Sequence, residues 1–169
     1  RGGGGVAEGL SLRDTAPERY ADLDHPGDAH AFGIFSEVAL ALRAWLPAHH
    51  GIPIDTLLAV GASQSAMYLT TYVNAVDPVA RAVDGFLLQG RAGAGVPIEG
   101  WDPASIRFRD GDDPAIRARR LRGRDRIRED VRVPVVVVQS ETDVLGTLAY
   151  LPARQDDGER FRLWEVAGA

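Results

Sequence analysis

The 169 residues include no cysteine, so neither disulfide cross-links nor thiolate-held metal sites are open to this chain. Lysine is absent as well: all nineteen basic residues are arginine, a pattern of GC-rich coding rather than of chemistry. No uninterrupted apolar run reaches the ~20 residues that a membrane crossing takes, and no membrane partner is expected. Histidine is scarce. His25, His30, His49 and His50 lack zinc-ligand spacing, and the adjacent pair cannot easily converge on one ion. Neither a metal nor a cofactor is therefore expected. A net charge of −5 argues against a general nucleic-acid binder. No signal peptide is visible, but the chain opens at Arg1 rather than at methionine; localisation stays open, with only the missing signal favouring the cytoplasm. Oligomeric state is not legible. What remains is a chain 45% hydrophobic, suited to one globular domain or part of one.

The most informative stretch is Gly61-Ala62-Ser63-Gln64-Ser65. It follows the apolar run Leu57-Leu58-Ala59-Val60 and leads into Ala66-Met67-Tyr68-Leu69-Thr70-Thr71-Tyr72-Val73. That order predicts a buried strand, a sharp turn with serine at its apex, and a helix. Such a turn presses the end of the strand against the first helical turn, so the positions two before and two after the apex must be small. Gly61 and Ser65 are. A strained apex pushes its hydroxyl out of the sheet to where a base can reach it, the arrangement of a nucleophile elbow in G-x-S-x-S form. The alternative is that Ser63 caps the helix.

Strands and helices alternate along the chain, with no internal repeat. Residues 1–28 read as loop, and a helix begins between Ala29 and Ser36. Val38, Leu42 and Trp45 fall on one of its faces, and Pro47 marks its end. The helix after the elbow stops near Asp77-Pro78, and residues 83–90 form the next strand. Residues 91–113, rich in Gly and Pro, read as a crossover loop or lid, part of an insertion over 91–130. A charged helix covers roughly 114–130. Residues 133–139 are the clearest strand; their β-branched run without alternation predicts burial on both faces inside a parallel sheet. A short helix over 144–150 follows, then a strand over 160–166 whose internal charges mark it as an edge. The fold class expected is α/β, an open, mostly parallel sheet flanked by helices.

Several stretches together resemble a family of bacterial α/β-hydrolase domain proteins: Pro17-Glu18-Arg19-Tyr20, His25-Pro26-Gly27-Asp28, Gly61-Ala62-Ser63-Gln64-Ser65-Ala66, Thr71-Tyr72-Val73-Asn74-Ala75-Val76, Val133-Pro134-Val135, and Gln139-Ser140-Glu141-Thr142-Asp143-Val144. The resemblance implies the C-terminal half of an α/β-hydrolase fold, with residues 1–169 as a partial domain. It also implies a triad in the order serine, acid, histidine, acting by acyl transfer to water on an ester or related carboxylic derivative. Ser63 is then the nucleophile, Asp143 the acid with Glu141 as runner-up, and the Gln64 backbone N–H half of the oxyanion hole. Asp143 as a helix cap is the competing role, and the two can coexist. The histidine is expected after the last strand, outside this chain, and the early strands are expected to be missing as well. Without them residues 57–60 would form an unpaired apolar edge, and the chain by itself is expected to be inactive. A non-catalytic relative or an inactive fragment with a binding role is the alternative function.

Could an internal histidine be the base? His49 and His50 fall between a helix end and the elbow strand, at the N-terminal edge of the sheet, whereas the site belongs at the other edge. His25 and His30 start nearer that side; His25 before Pro26 suits a turn. The arginines between 117 and 132 outnumber acids by five. No aromatic residue is interleaved among them for base stacking, so a solvated, self-paired surface is expected rather than a nucleic-acid site.

Overall fold

A computed structural model describes residues 11–99, 124–146 and 148–168. The β-branched and leucine-rich runs form strands β1 (Leu58–Ala62), β2 (Gly85–Gln89), β3 (Val135–Ser140) and β4 (Phe161–Val166). They pair in parallel in the order β1-β2-β3-β4. The register runs Ala62 to Gln89, Gln89 to Val138 and Ser140 to Val166. One edge of the sheet therefore gathers all the C-terminal strand ends.

One face of this sheet is the core. Ala59, Phe86, Leu88, Val135, Val137 and Phe161 are buried there. On the opposite face Val136 and Val138 are half-buried, and Leu58, Val60 and Trp164 are exposed. The expectation of burial on both faces of β3 thus fails among the described residues. A β-branched run records strand propensity, which does not depend on what covers the second face. The edge position of β4 is as its charges predicted, and the exposed Leu58 and Val60 lie on the outer strand β1.

The helices are α1 (Leu12–Thr15), α2 (Pro17–Tyr20), α3 (Ala31–His50), α4 (Gln64–Thr71), α5 (Asp77–Ala80) and α6 (Glu141–Leu145). A π-turn over Tyr72–Val76 joins α4 to α5. The single-turn helices α1 and α2 lie where loop was expected; a capping box of Ser11 and Asp14 and a proline at the first position of α2 start them. Residues 124–130 are irregular, not the end of a charged helix, and 114–123 lie outside the described residues.

Helix α3 runs through Pro47 to His50. Its last turn is held by Trp45, which stacks on His49 at 5.0 Å and meets His50 edge-on at 4.7 Å. Gly51 at φ +64° is the true stop, its N–H bonding back to Leu46 and Pro47. Its core stripe is Phe32, Ser36 and Ala39, whereas Val38, Leu42 and Trp45 are exposed. Polar anchors decide the orientation. Ser36 shares a 2.7 Å hydrogen bond with the Tyr72 hydroxyl, and Arg43 pairs with Asp84. Asp84 also accepts the Leu57 amide at 2.8 Å; that bond first, then Arg43, holds its carboxyl below the usual range. By length and composition Asp28–His50 does suffice to cross a membrane, with a mean hydropathy of 1.3. An uninterrupted run was therefore too strict a criterion, since Glu37 and Arg43 break this one.

The described arginines are partly self-paired. Arg128 pairs with Asp130 at 2.5 Å, and Arg132 with the buried Asp77 at 2.9 Å.

Candidate active site

Ser63 stands between β1 and α4 at φ +53° and ψ −118°. A side-chain-bearing residue holds such a conformation only at a cost of about 1–3 kcal/mol. Its N–H bonds to the Gln89 carbonyl at 2.9 Å and its carbonyl accepts from Met67 at 3.2 Å. Both fix the backbone while the side chain stays exposed. The hydroxyl makes no capping bond to the helix, so the capping alternative is not what this serine does. Gln64 is the first residue of α4; its N–H belongs to the turn that has no intrahelical acceptor.

Gly61 explains why the turn can close. A Cβ there would lie 2.9 Å from Leu69 Cδ1 and from the Ser65 carbonyl carbon and oxygen. Ser65 itself is exposed. The crowding comes from its backbone, not from the small side chain that was expected to pack. Because the clashing atoms are mainly backbone, Gly61→Ala is expected to destabilise the protein by about 1–3 kcal/mol, read as a lower urea midpoint at constant slope. An unchanged midpoint would mean that the elbow has room to spare.

The acid candidates lie on the same edge, two strands away. Ser140 ends β3 and caps α6: its Oγ accepts the Asp143 N–H at 3.2 Å, and Asp143 Oδ2 accepts the Ser140 N–H at 2.8 Å. Asp143 is therefore a cap, and its half-buried carboxylate also faces the end of β2. A Cβ on Gly90, which sits at φ +55°, would lie 3.5 Å from Oδ2 and 3.7 Å from Oδ1. Glu141 is exposed and turns the other way, accepting the Gly168 N–H at 3.0 Å just beyond β4. The end of β2 thus separates the two components: Gln89 holds the Ser63 amide, and Gly90 faces Asp143. The helix expected over 144–150, with Asp143 as its cap, instead spans Glu141–Leu145, because Ser140 supplies the N-cap and Asp143 is the third helical residue of the capping box.

None of the four histidines bonds to Ser63, Asp143 or Glu141 among the described residues. His49 and His50 end α3 at the opposite edge. The His25 Nδ1 accepts the Gly27 amide at 3.1 Å, a turn role as expected. No group of three or more metal-ligating side chains occurs among the described residues.

Beside the elbow a groove of about 630 Å³ runs between α3 and α4, floored by Val60 and lined by Phe32, Phe35, Gln64, Tyr68 and Tyr72. Burial raises the pKa of the Tyr68 and Tyr72 hydroxyls above the ordinary tyrosine value, keeping both neutral. Sequence reading missed this groove, since its walls come from helix faces whose orientation only packing decides. It also missed Gly90 and Arg91, for which a strand-end Gly-Arg pair is no signal.

A model of the alpha/beta hydrolase domain family matches residues 4–169. Comparison with curated proteins and with solved structures gave no match.

Proposed function

This chain belongs to the alpha/beta hydrolase domain family, and on that premise we propose that it carries the nucleophile and acid of a serine hydrolase acting on an ester or related carboxylic derivative. The observation behind the reading is Ser63 itself, exposed, uncapped and held at φ +53° between a parallel strand and a helix. A hydroxyl is a weak nucleophile at its own pKa and needs a base beside it. In this reading the base is a histidine not contained in these 169 residues. It takes the Ser63 proton as Oγ bonds to the substrate carbonyl carbon, then returns that proton to the leaving alcohol. Water attacks the acyl-enzyme by the same route, releasing the acid and restoring Ser63. Asp143 holds the imidazole in the tautomer that leaves its outer nitrogen free, and the Gln64 N–H stabilises the oxyanion.

Residues 91–130 act as a lid or crossover insertion in this reading. Their described start is clamped to the elbow helix, with Thr71 Oγ1 donating to the Val96 carbonyl at 2.5 Å. In the same reading residues 91–113, with Trp101, help to shape the acyl or alcohol pocket by position alone; Trp101 lies outside the described residues.

A fluorophosphonate probe tests the proposal on full-length protein that includes that histidine, since the 169 residues by themselves are expected to be inactive. Peptide mapping is expected to find the label on Ser63 and none on Ser65. A Ser63→Ala protein that still takes the label would overturn the assignment. Full-length protein that stays unlabelled would favour the non-catalytic reading.

A further inference from the structure

Among the described residues Arg91 is the largest side chain wholly removed from solvent, at 0% exposure; it makes no close ion pair there, and the Asp125 carboxylate acts on it only from a distance. Burial alone lowers its pKa. Its Nη1 donates to Thr70 Oγ1 in α4 at 2.9 Å, and its Nη2 to the Asp125 carbonyl at 2.6 Å. The guanidinium lies over the Tyr150 ring at 5.0 Å, and the Arg91 carbonyl accepts the Gln139 amide at 2.8 Å. Arg91 Nε, Gln139 Oε1 and the Tyr150 hydroxyl are buried without a well-formed hydrogen bond, the Tyr150 hydroxyl making only a looser polar contact with the Arg91 guanidinium. A cluster that leaves such atoms unmet is a poor device for stability, because apolar side chains of similar volume commonly do as well.

Its neighbours suggest what else it does. Gly90, directly before it, faces the Asp143 carboxylate. Gln139 directly precedes the Ser140 that caps Asp143, and the Tyr150 N–H bonds to the Asp143 carbonyl at 3.2 Å. Thr70 lies on the helix that Ser63 begins. Arg91 therefore touches the elements on both sides of the acid, and the helix of the nucleophile too. Resting on the serine-hydrolase reading above, we propose that Arg91 is a positioning residue that fixes Asp143 relative to Ser63 through Gln139, Tyr150 and Thr70.

The test compares the full-length protein, histidine included, with its Arg91→Met, Arg91→Lys, Asp143→Asn and Arg91→Met/Asp143→Asn variants, measuring kcat and KM on an activated ester together with Tm. Small displacements of a reacting group cost up to ~10² in rate. Arg91→Met is accordingly expected to lower kcat by about 10–100-fold with KM nearly unchanged and Tm within a few degrees of native. Arg91→Lys should recover part of the loss. In the Asp143→Asn background the Met substitution should add less than about threefold, since contacting residues of one unit are not additive. Full multiplication of the two losses, or native kcat in Arg91→Met, would overturn the proposal while leaving the triad reading intact. Native kcat in Asp143→Asn would overturn the proposal together with the assignment of Asp143 as the acid. Should Arg91→Met not fold, Arg91→Lys carries the same comparison: native kcat there, or full multiplication with Asp143→Asn, counts against the proposal.

Discussion

Ser63→Ala is expected to lower the turnover of an activated ester by several orders of magnitude and to leave Tm where it was. The first half follows from the way triad members act as a unit: once the attacking oxygen is gone, only binding and oxyanion stabilisation remain, and loss of one member forfeits nearly the whole advantage. The second half follows from what the hydroxyl does not do. It caps nothing in α4, so its removal leaves no buried donor or acceptor unmet. Alanine also inherits the same left-handed backbone, at the same cost. Ser63→Gly sharpens the point. Glycine accepts φ +53° freely, so that variant should be equally inactive yet more stable, by up to about the 1–3 kcal/mol of the stored strain, less the flexibility that glycine adds to the unfolded chain. Activity and stability would then move in opposite directions at one residue, as expected where a strained turn serves chemistry rather than folding. A Ser63→Ala protein that keeps native turnover, or loses it only by unfolding, would remove the nucleophile from the reading.

Much of this arrangement was legible because short-range pattern decides it. Small residues around a serine, between an apolar run and a helix, specify the strand–turn–helix with Ser63 at positive φ. The valines at 135–138 specify a central strand, and parallel pairing then carries Ser63, Asp143 and Glu141 to one edge without further information. What escaped depended on long-range packing. The apolar stripe Val38, Leu42 and Trp45 looked like the core face of α3, but the bonds from Ser36 and Arg43 turn a smaller, more polar stripe inward. Pro47 looked like a helix end because its ring is unwelcome inside a helix; stacking of Trp45 on His49 carries the last turn past it. Arg91 gave no signal at all, since a lone arginine after a strand normally reaches solvent.

Asp143 and Glu141 are two residues apart in the first turn of α6, just after β3, so chemistry rather than position along the chain separates them. Asp143→Asn is expected to cost on the order of 10⁴ in turnover, the loss seen when the orienting acid of a serine-protease triad becomes an amide and the imidazole takes the wrong tautomer. The substitution is clean because Asp143 has a second job. As the third residue of α6 it closes a capping box, its Oδ2 accepting the Ser140 amide, and an asparagine oxygen can accept the same bond. Folding should therefore survive while the charge is lost. Asp143→Ala would mix the two effects, because it also removes that bond. Glu141→Gln should cost less than about tenfold. Its carboxylate is exposed and its one recorded bond, from the Gly168 amide, can be made equally by a glutamine oxygen. That bond is also the reason the comparison is needed: Glu141 already reaches the segment just beyond β4, where the resemblance places the histidine, whereas Asp143 faces Gly90 across the end of β2. Loss on the order of 10⁴ in Glu141→Gln with near-native turnover in Asp143→Asn would make Glu141 the acid and leave Asp143 as the cap alone. Comparable losses in both would mean that the two carboxylates hold the imidazole together, Asp143 from the β2 side of β3 and Glu141 from the β4 side.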